Sequence, residues 1–269
     1  MKRVLWAQMR RGEIAEARDK DAVVVLPVGS IEQHGAHLPV GTDSLRVDAI
    51  AVRAAEMIDE FPVLVAPLFN YGISPYHMVF PGTITLSVET LCRAVQEICR
   101  CIWQHGFRHI LILNGHGGNS GSLENAVIQL SAENIIVGWG KASQASREDL
   151  QDIFKGEIKR IVHAGEGETS EILYLHPESV DMSLAVKDQS LRMPRDCAHD
   201  LGVWFSFAWI SGPDDTGLYG DPTLASAETG KKLLEIQAGK VAKFIRAFKA
   251  APVPENWRKG VPSVPVPSK

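Results

Sequence analysis

The segment 29–43 most constrains what this chain can fold into, because it places metal-binding side chains directly after a buried strand. The apolar run 23–28 predicts that strand. Glycines and a proline then separate two carboxylates and two imidazoles, which are those of Glu32, His34, His37 and Asp43. On an extended backbone Glu32 and His34 point to the same face, whereas His37 falls on the other face or in a turn. Mixed oxygen and nitrogen donors suit Zn, Mn or Fe better than Mg or Ca, so this segment predicts half of a metal site.

Two later segments carry further polar groups where predicted strands or turns end. His116 lies in the glycine-rich loop 114–119, between the strand 109–113 and a predicted helix over 120–131. The strand 135–139 completes a βαβ unit, which implies a parallel sheet with ligands at the carboxyl ends of its strands. His163, Glu166 and Glu168 lie in a glycine turn that enters another helix.

Together these groups cover the roles that a dinuclear hydrolase requires. Such an enzyme needs a carboxylate that bridges two metals, further ligands on each metal, a water of lowered pKa and a group that relays its proton. Asp43 is the predicted bridge, with Glu32 and His116 on one metal and His34 and Glu168 on the other. The residues predicted to be catalytic are His163, as the proton relay, and Glu166.

Simpler interpretations exist for several of these residues. The glycines around His116 are also compatible with a tight turn or a phosphate-binding loop, although the loop lacks the Gly-x-Gly-x-x-Gly and Lys-Ser/Thr patterns of nucleotide sites. Glu166 and Glu168 are equally typical of a helix start, where the macrodipole favours acids. His77, in the loop 70–77, is either a substrate contact or a surface histidine.

Composition excludes some classes of protein and leaves one large α/β domain as the better prediction. The 269 residues are 45% hydrophobic and 22% charged, with a net charge of −4, which gives no reason to expect nucleic acid or an anionic membrane as a partner. No apolar run reaches the roughly 18 residues that span a bilayer, and none of the four cysteines has a Cys-x-x-Cys partner. We therefore expect a cytoplasmic protein with a single domain over 1–250 and an extended, proline-rich tail over 251–269.

Periodicity predicts the remaining elements. Helices are expected over 44–59 and 87–105, the second capped by Ser87. Short strands are expected over 62–67 and 203–210. Asp221 and Pro222 predict the start of a long last helix.

Three motifs resemble those of the creatininase (creatinine amidohydrolase) family. They are Gly29-Ser30-x-Glu32-x-His34-Gly35-x-His37-Leu38-Pro39-x-x-Thr42-Asp43, Asn114-Gly115-His116-Gly117-Gly118-Asn119 and His163-Ala164-Gly165-x-x-Glu168-Thr169-Ser170. The resemblance implies a three-layer αβα sandwich with a mostly parallel central sheet and two divalent metal ions per subunit (Zn, Mn or Fe). It also implies a homo-oligomer, commonly a hexamer. By the same resemblance Glu32, His34, Asp43 and His116 match metal ligands, and His163 matches the histidine that handles the proton.

One departure from the family pattern affects the second metal. Creatininases proper carry Tyr-Glu after the histidine of the second motif, and that glutamate is a metal ligand; this chain has Gly117 and Gly118 there. Glu168 is the best candidate to replace the missing carboxylate. Creatinine itself is then not the expected substrate, because the tyrosine of the pocket wall is also missing.

The predicted function is hydrolysis in which a metal-bound hydroxide attacks the carbonyl of a small cyclic amide or formamide-type substrate and breaks a C–N bond. One alternative is a hydrolase that opens the ring of an oxidised inositol, an inosose-type ketone, by C–C cleavage. Another, from a different class, is a non-catalytic module that binds a metal or a sugar phosphate. The predicted substrate-binding residues are Tyr76, His77, Gly117 and Gly118, and His37 and Asn119 are expected to support the ligands from behind.

Overall fold

A parallel four-stranded sheet forms the centre of the computed structural model, which describes residues 3–143, 145–189 and 215–251. The strands run in the order β2-β1-β3-β4. Their bounds are Val23–Val28 for β1, Val63–Val65 for β2, His109–Asn114 for β3 and Val137–Lys141 for β4. The central pair is continuous in register from Val23 opposite His109 to Val28 opposite Asn114. All three strand pairings are parallel, as the βαβ pattern predicts.

Helices cover both faces of this sheet, which gives the predicted three-layer αβα sandwich. The helices are α1 (Arg11–Asp19), α2 (Thr42–Glu56), α3 (Val88–Gln104), α4 (Ser120–Ala132), α5 (Arg147–Leu150), α6 (Glu166–Leu175) and α7 (Ala227–Ala250). Val24 and Leu26 of β1 face the layer that contains α3 and α4, whereas Val23 and Val25 face α2 and α7. Because successive side chains of a strand point to opposite faces, a fully apolar strand such as β1 serves both cores at once.

The sequence locates most elements and misplaces one helix start. Ser87 caps α3 by accepting a hydrogen bond from the Thr90 amide, as predicted. The prediction that Asp221 and Pro222 begin the last helix is wrong. Asp221 caps only a short 3-10 turn, and Ser226 caps α7 by accepting the amide of Thr229. An Asp-Pro pair fits the first turn of either kind of helix, so the pattern alone does not separate them.

Some predictions lie outside the described residues or are left as predictions. The strand over 203–210 and the tail beyond Ala251 are outside the described part of the chain. Among the described residues, no helix combines the length and the apolar character that crossing a membrane requires. The single domain over 1–250 stays a prediction.

Chain order places the functional loops at one edge of the sheet. From β1 the chain crosses to β2 on one side, and it later returns to β3 on the other side of β1. This reversal of direction opens a crevice beyond the carboxyl ends of β1 and β3, which is where parallel α/β sheets bind ligands. The segment 29–43 follows β1 and His116 follows β3, so both enter this crevice.

Candidate metal centre

Backbone contacts at the end of β1 hold the segment 29–43 in place. The Glu32 amide donates to the carbonyl of Val40 at 2.9 Å and closes the loop between them. Gly29 lies against the start of α2, where a Cβ atom would come within 2.2 Å of Ser44 Oγ. Only glycine permits this approach, which brings the end of β1 and Asp43 in the first turn of α2 side by side.

Asp43 is the centre of a buried cluster of carboxylates and imidazoles. His116 Nδ1 lies 2.9 Å from Asp43 Oδ2, and His116 Nε2 lies 3.2 Å from Glu32 Oε2. On its other side Asp43 Oδ1 is 3.5 Å from His34 Nε2, which is also 3.5 Å from Glu168 Oε2. The structure therefore brings together all five predicted ligands, with Asp43 between the two imidazoles as a bridging carboxylate would be.

Hydrogen bonds to backbone carbonyls determine which nitrogen of each ring faces Asp43. His34 Nδ1 is 3.1 Å from the backbone carbonyl of Glu32, and His116 Nε2 is 3.0 Å from the carbonyl of Ile73. A carbonyl only accepts, so each of these nitrogens carries the hydrogen. The remaining nitrogens, Nε2 of His34 and Nδ1 of His116, face Asp43. An N–H fixed on a backbone carbonyl is the usual outer contact of a metal-ligating histidine.

Unsatisfied polar atoms support the same interpretation. Within the described part of the chain, the buried atoms Glu32 Oε1 and His34 Nε2 have no hydrogen-bond partner. A buried polar atom without a partner costs about 1–3 kcal/mol, and a bound cation would remove that cost. Glu32, His34 and Asp43 each offer one ligand atom within 4.8 Å of the others. The residues present thus fit a transition-metal site of mixed oxygen and nitrogen donors.

The electrostatics of the cluster favour a positive charge at the two rings. Burial alone would lower the pKa of His34, but the carboxylates of Asp43, Glu168 and Glu32 outweigh it and raise that pKa to about 9. The pKa of His116 also rises to about 9, since Glu32 and Asp43 outweigh burial there. Burial would raise the pKa of Asp43, but the neighbouring imidazoles hold it well below its usual range. Protons and metal ions therefore compete for the same nitrogen atoms.

Glu168 is shared between this cluster and a buried arginine. Arg46 is 1% exposed and donates to Glu168 Oε1 at 2.6 Å and to Glu171 Oε2 at 2.7 Å. The other oxygen of Glu168, Oε2, accepts the Ala164 amide at 2.8 Å and is the atom that faces His34. One cation thus neutralises part of the charge of two buried carboxylates, and only Oε2 of Glu168 is turned to the cluster.

Two further histidines line the crevice beside Glu32. His77 Nε2 and His163 Nδ1 are each 3.5 Å from Glu32 Oε1, and their rings stack at 4.7 Å. His163 also lies 4.2 Å from the ring of His34, and Tyr76 Oη is 3.3 Å from His116 Nε2. Burial lowers the pKa of His77 to about 3 and that of His163 well below its usual range. The predicted substrate contacts Tyr76 and His77 thus do border the cluster.

The structure separates Glu166 from its predicted catalytic role. Both oxygens of its carboxylate accept backbone amides, from Lys155 at 2.7 Å and from Gly156 at 2.9 Å. At the first position of α6 its side chain points to the preceding loop, whereas Glu168, two residues later, points to the cluster. The sequence pattern does not distinguish these two directions, because both acids lie in the first turn.

The two glycines after His116 differ in their surroundings. A Cβ atom at Gly118 would lie 2.1 Å from the carbonyl oxygen of Ile73 and 2.6 Å from both Tyr76 Oη and His116 Nε2. At Gly117 nothing lies within 4 Å of such an atom. The predicted substrate role therefore has room beside Gly117, whereas Gly118 serves the close packing of the loop that holds His116.

The predicted supporting residues contact the segments that carry the proposed ligands. His37 Nε2 is 2.9 Å from the hydroxyl of Thr169, in the helix that carries Glu168. Asn119 donates to the carbonyl of Gly29 at 2.9 Å and accepts the Ile73 amide at 3.0 Å. Asn119 thus joins the loops that follow β1, β2 and β3.

Sequence reasoning missed three polar residues of the site: Gln33, Arg46 and Ser74. Ser74 donates to Glu32 Oε2 and lies 3.2 Å from His116 Nε2. The sequence could have indicated Arg46, because it follows Asp43 by three residues and so lies on the same face of α2. No such indication exists for Gln33, since an amide between two predicted ligands carries no metal-binding pattern of its own.

Comparison with known proteins identifies the family to which this site belongs. The family model described as "Creatininase: Creatinine amidohydrolase" matches residues 7–245. The chain belongs to the creatininase family. It is therefore an enzyme of a hydrolase family, and the motifs that suggested the resemblance hold the cluster at the carboxyl edge of the sheet.

Curated relatives within this family differ in what they act on. The mycofactocin precursor peptide peptidase of Mycobacterium tuberculosis is 32% identical over 219 residues, which cover 78% of this chain and 79% of the relative. The creatinine amidohydrolase of Pseudomonas putida is 31% identical over 84% of this chain and 89% of the relative. The 3-dehydro-scyllo-inosose hydrolase of Thermotoga maritima is 27% identical over 90% of this chain and 83% of the relative.

Solved creatininase structures share the fold and contain metals. A crystal structure of creatinine amidohydrolase superposes with a TM-score of 0.80 at 27% identity, over 94% of this chain and all of the other. A structure described as "Creatininase Mn" gives a TM-score of 0.78 at 27% identity, over 93% of this chain and all of the other. A mutant creatininase is described as of Zn-Zn type. Creatininases with this fold thus include manganese and zinc forms.

Proposed function

We propose that this protein is a metal-dependent hydrolase that cleaves the C–N bond of a small cyclic amide or formamide-type substrate. The observation that carries the proposal is the pair His34 and His116. Each ring is fixed by a backbone carbonyl, and each turns its other nitrogen to Asp43. Two imidazoles on one buried carboxylate, each with a carbonyl behind it, have the arrangement expected of metal ligands around a bridging carboxylate.

The proposed cofactor is two divalent metal ions per subunit (Zn, Mn or Fe), held by the five clustered residues. Glu32, Asp43 and His116 would hold one ion, and His34, Asp43 and Glu168 the other. When bound, such ions polarise a substrate carbonyl and lower the pKa of a water molecule toward about 7. The second set is the weaker of the two, because Arg46 already neutralises part of the charge of Glu168.

The substrate is proposed to enter beside Glu32, where His77, His163 and Tyr76 line the crevice. His163 lies next to both Glu32 and His34, so it can donate to the reacting group from Nδ1. Buried donors of this kind act where water is excluded and their effect on developing charge is greatest. His77 and Tyr76 are proposed to orient the substrate from the loop that follows β2.

The relatives support C–N cleavage ahead of the alternatives. A peptidase and a creatinine amidohydrolase, each more than 30% identical to this chain, both break amide-type C–N bonds, in a peptide and in a cyclic amide. Ring opening of an inosose-type ketone is the second candidate, and the relative from Thermotoga maritima supports it at 27% identity. A non-catalytic binding module is disfavoured by membership of a hydrolase family.

A substrate screen on metal-reconstituted protein tests this proposal. Cyclic amides, formamides, short peptides and inosose-type ketones would be assayed with Zn, Mn and Fe in turn, beside the metal content of each sample. We expect turnover of an amide-type substrate that is lost in Asp43→Ala together with the metal. Less than one equivalent of metal, with hydrolysis unaffected by Asp43→Ala, would refute the metal-dependent enzyme, and turnover of the ketone alone would favour the second candidate.

A further inference from the structure

Gln33 lies between the two histidines that face Glu32 and is almost fully buried. Its Oε1 accepts the Gly35 amide at 2.8 Å, and its Nε2 donates to the carbonyl of Gly217 at 2.6 Å. Exchanging the two ends of the side-chain amide would place oxygen against the Gly217 carbonyl and nitrogen against the Gly35 amide. Two backbone groups therefore fix the orientation of this side chain.

The cradle around Gln33 depends on a glycine at position 217. Gly217 has a φ of +68°, and a Cβ atom there would come within 2.3 Å of Gln33 Oε1. A residue with a side chain would be strained at that φ and would displace the amide. The backbone carbonyl reaches Gln33 because nothing stands between them.

The Gln33 amide nitrogen also faces one nitrogen of each histidine. Gln33 Nε2 is 2.8 Å from His77 Nδ1 and 3.1 Å from His163 Nε2. The amide has two hydrogens and only donates; one is directed to the Gly217 carbonyl, so the other is shared between the two ring nitrogens, neither of which then carries a hydrogen. In a neutral imidazole the hydrogen is then on the other nitrogen.

We propose that Gln33 is a positioning residue that fixes the hydrogens of His77 on Nε2 and of His163 on Nδ1. Both N–H groups then point toward the crevice at Glu32, where each nitrogen is 3.5 Å from Oε1. The catalytic role of this arrangement rests on the function proposed above and makes that function more specific. The two rings donate hydrogen bonds to the reacting group of the substrate, and neither turns a lone pair to Glu32.

The same arrangement excludes one of the possible metal sites. Glu32, His77 and His163 have ligand atoms within 4.8 Å of one another, as do Glu32, His34 and Asp43. The two sets differ in the group that lies beside the other ring nitrogen of each histidine. The carbonyl beside His34 holds the hydrogen of a neutral ring on the outer nitrogen, so its inward nitrogen can offer a lone pair to a metal, whereas the amide beside His77 and His163 places their hydrogens inward.

The test is the position of the hydrogens in the intact, full-length protein. Solid-state ¹⁵N NMR of histidine-labelled protein distinguishes protonated from unprotonated ring nitrogens, and His77→Asn and His163→Asn assign the signals. We expect hydrogen on His77 Nε2 and on His163 Nδ1. Hydrogen on His77 Nδ1 or on His163 Nε2 would overturn the proposal, whether or not the protein proves to be a hydrolase.

Two variants of Gln33 extend the test to function. Gln33→Glu offers an acceptor to both rings, so their hydrogens should move to the outer nitrogens, and unchanged tautomers would contradict the proposal. Gln33→Met keeps the length of the side chain and removes the donor. We expect kcat to fall about 10- to 100-fold, with a smaller change in KM and unchanged metal content in the ligand set around Asp43.

A control variant tests whether the effect is specific to Gln33, and the metal content and activity of wild type distinguish failure of this proposal from failure of the proposed function. Gln96→Met replaces another buried glutamine, on α3, which bonds to Gln129 and Arg100. It should leave the histidine tautomers and kcat unchanged. If wild-type protein binds no metal and hydrolyses nothing, the proposed function fails, while the tautomers measured in the same sample still decide the role of Gln33.

Discussion

Gly118→Ala is the substitution whose effect the structure predicts most directly. The added Cβ atom would lie 2.1 Å from the carbonyl oxygen of Ile73, which is backbone and has to move. That carbonyl accepts the hydrogen bond from His116 Nε2 that orients the ring toward Asp43. One methyl group therefore affects both the packing of the loop and the orientation of a proposed metal ligand.

The magnitude follows from two contributions. Inserting a methyl group into a packed site costs about 1–3 kcal/mol. Losing the hydrogen bond from His116 Nε2 to that carbonyl adds about 0.5–1.5 kcal/mol, because Glu32 Oε2, 3.2 Å from the same nitrogen, can still accept. The free energy of unfolding should then fall by about 1.5–4.5 kcal/mol, and since 1 kcal/mol shifts the Tm of a domain of this size by about 2–4 °C, Tm should fall by about 3–18 °C.

Gly117→Ala is the matched control, since nothing lies within 4 Å of a Cβ atom at that position. Differential scanning fluorimetry and metal titration would be run on both variants. Gly118→Ala should also bind metal about 10- to 100-fold more weakly, because the outer contact of His116 is lost. Equal Tm and equal metal affinity in the two variants would refute the steric reasoning. Gly118→Glu, which restores the carboxylate of creatininases proper, should likewise lose metal affinity.

Three further predictions concern the charged groups of the site. Arg46→Met should lower the free energy of unfolding by about 3–5 kcal/mol, because it leaves Glu168 and Glu171 buried without their cation; a chemical denaturation midpoint equal to that of wild type would contradict this. Glu168→Gln should reduce bound metal from the proposed two ions to about one per subunit by elemental analysis, while Glu166→Gln keeps both, and equal contents would remove Glu168 from the proposed ligand set. Removal of metal by a chelator should lower Tm. If the free metal concentration is initially 100 times Kd, the lost stabilisation is about 2.7 kcal/mol. An unchanged Tm would show that metal is not bound to the folded state.

Much of the fold could be predicted from the sequence, because its strands and helices have clear periodic patterns. The buried strand over 23–28 and the βαβ unit around His116 together predict the central strands and the edge at which the site lies. The start of α7 was missed because Asp221-Pro222 satisfies the local rule for a helix start, whereas the choice of Ser226 depends on tertiary contacts. One such contact is the hydrogen bond from the Ser226 amide to Ser170 Oγ.

The proposed ligands stand out in the sequence by residue type, whereas the orientation of their rings does not. Glu32, His34, Asp43 and His116 carry chemistry that a sequence displays. Whether a histidine turns a lone pair or an N–H to the site depends on its outer neighbour. That neighbour is a backbone carbonyl for His34 and His116 and the Gln33 amide for His77 and His163, and a carbonyl leaves no trace in the sequence.

The helix α2 links core packing to chemistry in a way that shapes how this protein tolerates mutation. Asp43 and Arg46 belong to the cluster, and Val47, Ile50 and Ala51 on the same helix are buried in the core beside the sheet. A substitution that shifts these apolar residues moves the two charged ones with them. Helix α3 packs on the opposite face, and its described residues contribute none of the proposed ligands. Evolutionary drift is therefore expected to be slow along α2 and faster along α3, although both helices bury a similar apolar stripe.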